Sequence, residues 1–331
     1  MNSQKDIQID AIFTWVDGND PKHINKMLPY MSGKNNWKNK KFKTRFQQVN
    51  EIEYSVRSII KFAPFIKNIY IVTDNQTPSF LKEYNLNKKE SEPEIKIIDH
   101  SVIFREHQEI LPVFNSMSIE TLIYKIPNLS EYFVYFNDDF LLFNKTKPTD
   151  FFIDGQPVVR GKKTKFDKEI LYKKIYNYFL LLQGKKLKSS KYGYKRAQQI
   201  AARLIGFKKV YFKMHHTPTP LRKSTIEKFF NKNEGILLQN IQYKFRSNKQ
   251  FILQSLANHI EIRNNTAVLK EDYQLLFMRS FKKPVLWYQF LLNFKKKQKN
   301  IIFLCAQSLD KAPKKTINFI IKWLQKNYQW K

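Results

Sequence analysis

One cysteine, Cys305, is all that 331 residues contain, so the chain forms no internal disulfide and builds no metal site from cysteines. A reducing compartment fits that usage. The first residues, MNSQKDIQIDAIFTWVDG, lack a basic segment leading into an apolar one, so no secretory signal peptide is expected. No stretch reaches the ~18 uninterrupted apolar residues of a membrane-spanning helix. Internal repeats are missing, and no recognisable DNA- or RNA-binding motif occurs, so no specific nucleic-acid partner is expected. Acidic residues are scarce: 28 Asp and Glu stand against 59 Lys and Arg, a net charge of +31. That field favours anionic partners without naming them. The expectation is a cytoplasmic protein, either free or peripheral on the inner face of the plasma membrane.

What is present argues for a folded chain. Apolar residues make up 42%, with 28 Phe and 17 Tyr. Lysine gathers in KNKKFKTR, GKKTKFDK, GKKLKSSKYGYKR and FKKKQK, each of which also reads as a solvated face. IQIDAIFTWVDGNDP reads as a strand ending in a turn at Gly18–Pro21, and Lys34–Thr44 as an exposed loop or helix edge. NEIEYSVRSIIKFAP spaces Ile52, Val56, Ile59, Ile60 and Ala63 as a helix, capped by Asn50 and stopped by Pro64. NIYIVTDNQTP and IKIIDH read as strands, and Ser116–Lys125 as a helix with Ser116 as its cap. Strand, helix, strand, strand, helix, strand over residues 8–143 predicts a mainly parallel sheet flanked by helices. EILYKKIYNYFLLLQ, YKRAQQIAARLIGF and residues 236–260 read as helical, giving a basic, mostly helical C-terminal half. The organisation expected is an α/β core over 1–150 with an extension over 151–331 that no clean linker separates. The terminal INFIIKWLQKNYQWK reads equally as a helix on an anionic membrane or as one packed on the core.

The segment that raises a chemical question is YFVYFNDDFLLF, Tyr132–Phe143. Nine of its twelve residues are apolar or aromatic, yet Asn137, Asp138 and Asp139 sit in the middle. It reads as a buried strand, and burying two adjacent carboxylates is costly because each loses water and each repels the other. In parallel sheets ligands bind at the carboxyl ends of strands. Asp17, Asp20, Asp74 and Asp138–Asp139 all fall at or just beyond such ends. A divalent cation, Mg²⁺ or Mn²⁺, would take up the charge; one aspartate capping a turn and the other solvated is an equal reading. Three further residues stand out. Glu120 lies on the polar face of its helix, His215–His216 precede a Pro-x-Pro turn, and Arg246 sits on a helix among phenylalanines. Each also has a plain structural reading as a surface or ion-paired side chain.

Together these segments resemble the Stealth family, which includes bacterial capsule polymerases and an N-acetylglucosamine-1-phosphotransferase of animals. The resemblance is carried by IDAIFTWVDGNDP (Ile9–Pro21), by the run over Asn50–Leu142 containing LPVFNSMSIET and IPNLSEYFVYFNDDFLL, and by HHTPTPLRKS (His215–Ser224). A looser block is NIIFLCAQSLD (Asn300–Asp310), where Ala306–Gln307 follow Cys305 and the family pattern has Asn-Asp. The resemblance implies a GT-A-like nucleotide-binding sheet and transfer of a sugar-1-phosphate, N-acetylhexosamine first, from a UDP-sugar to a saccharide hydroxyl. By motif it implies catalytic roles for Glu120, Asp139, His216 and Arg246, and a metal held by Asp138 and Asp139. Donor binding is expected at Asp17, Asp74, Arg57 and Asn115. An anionic polysaccharide or lipid-linked saccharide would be the acceptor. Two rivals remain: a GT-A-type glycosyltransferase that releases UDP, and a non-catalytic basic protein that binds polyanions.

Overall fold

The computed structural model describes residues 7–32, 49–170, 182 and 193–329. The first strand, β1 (Ile9–Thr14), has Ile9, Ala11, Ile12 and Phe13 all fully buried, as a strand covered on both faces requires. Asp10 is buried too, and it is satisfied. It accepts hydrogen bonds from the Asn68 backbone and side chain (3.2 and 2.9 Å) and from Ser130 N (2.9 Å). That carboxylate ties the start of β1 to one neighbouring strand and to the turn leading into the other.

Helix Glu51–Phe62 leads to β2 (Ile66–Thr73), and helix Phe80–Asn87 to β3 (Glu94–Asp99). The chain then returns through helix Ser116–Thr121 to β4 (Tyr132–Phe136) on the other side of β1. The sheet order is β3-β2-β1-β4, all parallel, closed at one edge by the antiparallel β9 (Thr219–Arg222). Connections therefore run in opposite directions on either side of β1. At such a reversal the strand ends part into a crevice. Phe13 is paired with Phe136, so residues 14–16 and 137–139 emerge side by side.

The YFVYFNDDFLLF run is not one strand. It divides into β4 and β5 (Phe140–Leu142), with Asn137–Asp139 as the turn between them, closed by Phe140 N donating to Asn137 O (3.1 Å). β5 leaves the first sheet and pairs antiparallel with β12 (Phe303–Gln307), which pairs in parallel with β11 (Leu275–Arg279). A third sheet joins β6 (Phe152–Ile153), β7 (Gln156–Lys165), β8 (Val210–Met214) and β10 (Val268–Lys270). Asp154 and Gly155, both at positive φ (50° and 72°), make the two-residue hairpin between β6 and β7. Among the described residues the C-terminal half carries the expected helices together with seven strands, β6 to β12. Pairings of β4 with β9 and β5 with β12 cross residue 150.

Other sequence expectations need adjusting. Asn115, not Ser116, caps its helix, accepting from Met117 N at 3.2 Å. Asn50 sits at the cap position of helix Glu51–Phe62 in a left-handed conformation and makes no side-chain cap; Glu51 accepts from Val49 N instead (2.7 Å). Residues 236–260 are two helices, Glu234–Ile241 and Leu253–Arg263, separated by an irregular stretch that carries Arg246. The terminal helix Lys314–Asn327 packs on the core, burying Ile320, Trp323 and Leu324 ahead of the buried Tyr328. Its apolar face is therefore not available to a membrane. The Lys34–Thr44 stretch and most of EILYKKIYNYFLLLQ lie outside the described residues. Among the described residues no helix is long and apolar enough to cross a membrane.

An ion pair with a buried carboxylate and a partly exposed guanidinium fixes the edge of the main sheet. Arg222, at the end of β9, donates to both Glu261 oxygens (2.8 and 2.6 Å), which also accept from the Thr225 and Thr266 hydroxyls. Removing a buried partner leaves an uncompensated charge, so Glu261→Ala is expected to cost about 3 kcal/mol, read from the shift of a urea-unfolding midpoint.

Candidate active site

At the reversal between β1 and β4 lies a cleft of about 610 Å³. Its floor is Thr14–Val16 and Asn137–Phe140, one wall is Asn115–Met117, Ile119 and Glu120 with Phe245 and Arg246, and the other is Tyr194, His216, Gln307, Ser308, Asp310 and Lys311. Glu120, Asp138, Asp139, His216 and Arg246, which lie far apart in sequence, all line it.

The acidic character exceeds what the Asp-Asp pair alone suggests. Glu51, first residue of its helix, and Asp310, in the turn after β12, line the same cleft. Burial, then the charges of Asp138 and Glu51, push the Asp139 carboxyl up to about 8. Burial, then Asp138, push Glu51 to about 7. Asp138 and Asp310 are raised as well, in both cases chiefly by burial. Asp139 Oδ2 receives a weak hydrogen bond from the Cys305 thiol (3.7 Å), while its Oδ1 is buried without a partner. An orphaned carboxylate oxygen beside a second carboxylate fits a hard divalent cation. Among the described residues no three metal-ligating side chains converge on one point, so water or substrate oxygens would complete the shell of an ion held by Asp138 and Asp139.

Glu120 is buried and accepts from Gln254 Nε2 (2.9 Å); burial raises its carboxyl, partly offset by that bond and by the charge of Arg246. Arg246 Nη2 donates to Ser116 Oγ (2.8 Å) at the start of the same helix. The irregular backbone carrying Arg246 is held by buried amides. Asn115 Nδ2 and Ser247 N both donate to Gln250 Oε1 (2.9 Å each), and Phe114 N donates to Lys244 O (3.0 Å). These bonds replace the helical ones, which is why the expected helix is interrupted here.

His216 lies between rings, stacked on Tyr194 (4.4 Å) and parallel to Phe277 (5.6 Å), with the edge of Phe140 nearby. Burial, then His215, Lys213 and Arg279, lower it to about 4, so the imidazole is neutral at pH 7.

The four residues expected at the donor are placed differently. Asn115 lines the cleft, but its side chain is engaged in the cap and in bonds to Gln250 and Ser118. Asp17 lies just beyond the lining residues Trp15 and Val16, accepting from Asn19 N (2.9 Å) and linked through its backbone to Gln76. Asp74 stands behind the cleft. Burial raises its carboxyl, but bonds from His23 (2.8 Å) and Lys26 (2.5 Å) outweigh that and hold it below the carboxylate range. Its partner His23 lines the cleft, as does His100. Arg57 is not a lining residue; it pairs with Glu53 one turn earlier on its helix.

Sequence reasoning missed Glu51, Tyr194, Gln254 and Asp310. Asp310 closes the divergent block NIIFLCAQSLD, which was the available signal. Pairing of Cys305 with Phe140 across β12 and β5 brings that block to the acidic turn, where Ala306 N donates to Asp139 O (3.2 Å).

These features define an α/β protein with an acidic cleft at the strand-order reversal. The chain matches Stealth conserved region 1 over residues 8–35 and conserved region 2 over residues 45–159. It is 31% identical to the exopolysaccharide phosphotransferase cps2G of Lactiplantibacillus plantarum, over 72% of this chain and 71% of that protein. It is 45% identical to the capsular polysaccharide phosphotransferase fcs1 of Haemophilus influenzae over 44% of this chain, a stretch spanning 38% of that relative's length. The chain belongs to the Stealth family. Among solved structures, the galactosyltransferase LgtC with donor and acceptor sugar analogues aligns over 90% of this chain and 87% of its own, at 11% identity and a TM-score of 0.42.

The carboxylate shifts set a pH dependence. Glu51 and Asp139 bind protons more readily folded than unfolded, so the stability they contribute is complete below the ordinary carboxylate range, about pH 4, and is lost as pH rises through about 7 and about 8. Lowered histidines act in the opposite sense, at lower pH. In EDTA the melting temperature is expected to fall between pH 6.5 and 8.5, and the fall is expected to flatten in Asp139→Asn. An unchanged slope in that variant would show that the carboxylates are not coupled in this way.

Proposed function

We propose that the protein transfers a sugar-1-phosphate from a UDP-sugar to a saccharide hydroxyl, releasing UMP and forming a phosphodiester. The observation that carries this reading is the convergence of Glu120, Asp138, Asp139, His216 and Arg246 on one cleft at the carboxyl ends of β1 and β4. The relatives' names, capsular and exopolysaccharide phosphotransferase, are of the same chemical kind.

Asp138 and Asp139 would hold Mg²⁺ or Mn²⁺, which when bound neutralises charge on the diphosphate oxygens. Phosphoryl transfer asks the protein mainly for in-line positioning and electrostatic stabilisation. Arg246 offers a planar fork of donors to the transferring phosphate. His216, neutral at pH 7, takes the proton from the acceptor hydroxyl as its oxygen bonds to the β-phosphorus. The bond from that phosphorus to the bridging oxygen breaks, UMP leaves, and the anomeric bond of the sugar stays intact. Glu120, joined to Gln254 and beside Arg246, orients the guanidinium and the acceptor. The remaining cleft surface at Trp15, Val16, His23 and Phe114 is the part left for the nucleoside. A growing polymer with phosphodiester links is a polyanion, which the net charge of +31 would retain.

Incubation with a panel of UDP-sugars, an oligosaccharide acceptor and Mg²⁺ tests the reading, because sugar-1-phosphate transfer yields UMP and ordinary glycosyl transfer yields UDP. Release of UDP alone would overturn it. Asp139→Asn and His216→Ala are each expected to lower turnover by at least ~10²-fold with an unchanged circular dichroism spectrum. Because His216 is lowered to about 4, the acid limb of kcat at saturating Mg²⁺ is expected below pH 5; a limb near 6.5 would assign the base elsewhere.

A further inference from the structure

Helix Val285–Lys297 is turned the wrong way round for a helix facing water. Leu286, Trp287, Phe290 and Phe294 are 77, 44, 69 and 48% exposed, while Tyr288 and Leu292 on the opposite side are buried in the core. At 100° per residue the four exposed positions fall within one face. Phe290 and Phe294 stack on each other in the open, 5.7 Å apart. The orientation is fixed from behind. Lys296 is turned inward, with its ammonium over the rings of Phe62 (4.3 Å) and Phe143 (4.8 Å) and donating to Phe143 O. Contiguous exposed apolar surface of this kind marks a docking site.

We infer that this face docks the protein on an anionic lipid surface. Lys282 and Lys283 precede the helix, Lys297 ends it and Lys299 follows, all exposed, and no acidic residue occurs between Asp272 and Asp310. Aromatic and leucine side chains on one face bracketed by lysines suit the boundary between acyl chains and anionic headgroups. A second copy of the chain fits less well, because a two-fold contact through this face would set the same lysines against themselves. The helix also connects β11 to β12, whose last residue Gln307 and the following Ser308 line the cleft, so the segment that meets the lipid leads into the cleft, an arrangement that would serve a lipid-linked acceptor. That last consequence rests on the proposed function; the docking itself does not.

The test is sedimentation of the full chain with sucrose-loaded vesicles of phosphatidylglycerol and phosphatidylethanolamine, or of phosphatidylcholine alone. The wild type is expected to sediment with the anionic vesicles and not with the neutral ones, and raised salt is expected to weaken binding. The double variant Trp287→Glu, Phe290→Glu is expected to keep the wild-type melting temperature, since both side chains are exposed, and to lose at least about tenfold in partitioning. No binding to anionic vesicles, or equal binding by the double variant, would overturn the inference. So would wild-type self-association in solution that the double variant abolishes, since it would assign the face to a second copy. Sedimentation needs no turnover, so its failure would leave the proposed chemistry standing, and inactivity toward UDP-sugars would leave the docking standing.

Discussion

Burial of several carboxylates in one crevice is the constraint on which this site depends. Asp138, Asp139, Glu51 and Asp310 come from three separate parts of the chain; burial raises all four, and for Glu51 and Asp139 the charges of neighbouring carboxylates add to it. Held together in a buried crevice they are stable as anions only with positive charge between them. The fold could have spread them apart, since no hydrogen bond joins one carboxylate to another. It gathers them instead, at the position where strand order reverses and where a ligand has room to enter.

The rest of the cleft is arranged around that negative centre without cancelling it. Arg246 is one cation of the cleft, with Lys311 beside Asp310, and it stands on a stretch of backbone braced by buried amides, not on a flexible loop. His216 is kept neutral by burial and by the basic groups beside it, so it adds no charge of its own near pH 7. The second sheet has one evident task here: β12 closes on β5, sets the Cys305 thiol against Asp139 and delivers Asp310 to the cleft. Stability and site are therefore carried by the same strand pairings.

Much of the fold was legible in the sequence where the signal was local and strong. β1, β2 and β4 are long apolar runs, and helix Glu51–Phe62 shows its spacing plainly, with Ile52, Val56, Ile59 and Ala63 all buried. Asp138–Asp139 stood out because carboxylates in an apolar run need a reason. What the sequence did not show is long-range. Nothing local says that YFVYFNDDFLLF breaks into two sheets, since its second half pairs with a strand about 160 residues later. Nor does Glu51 differ, as a residue, from any acid favoured in the first turn of a helix. The interruption at Arg246 arises from contacts of Asn115 and Gln250, 135 positions apart. Strands as short as β6 and β10 carry too few alternations to be distinguished from helix or loop.

The most direct measurement is a crystal structure of the protein with Mn²⁺ and a UDP-sugar, with the metal located by its anomalous scattering. The expected result is a peak roughly 2.1 Å from oxygens of Asp138 or Asp139, bridged to both phosphates of the donor. A metal and diphosphate bound outside this cleft, with the two aspartates uninvolved, would contradict the central claim.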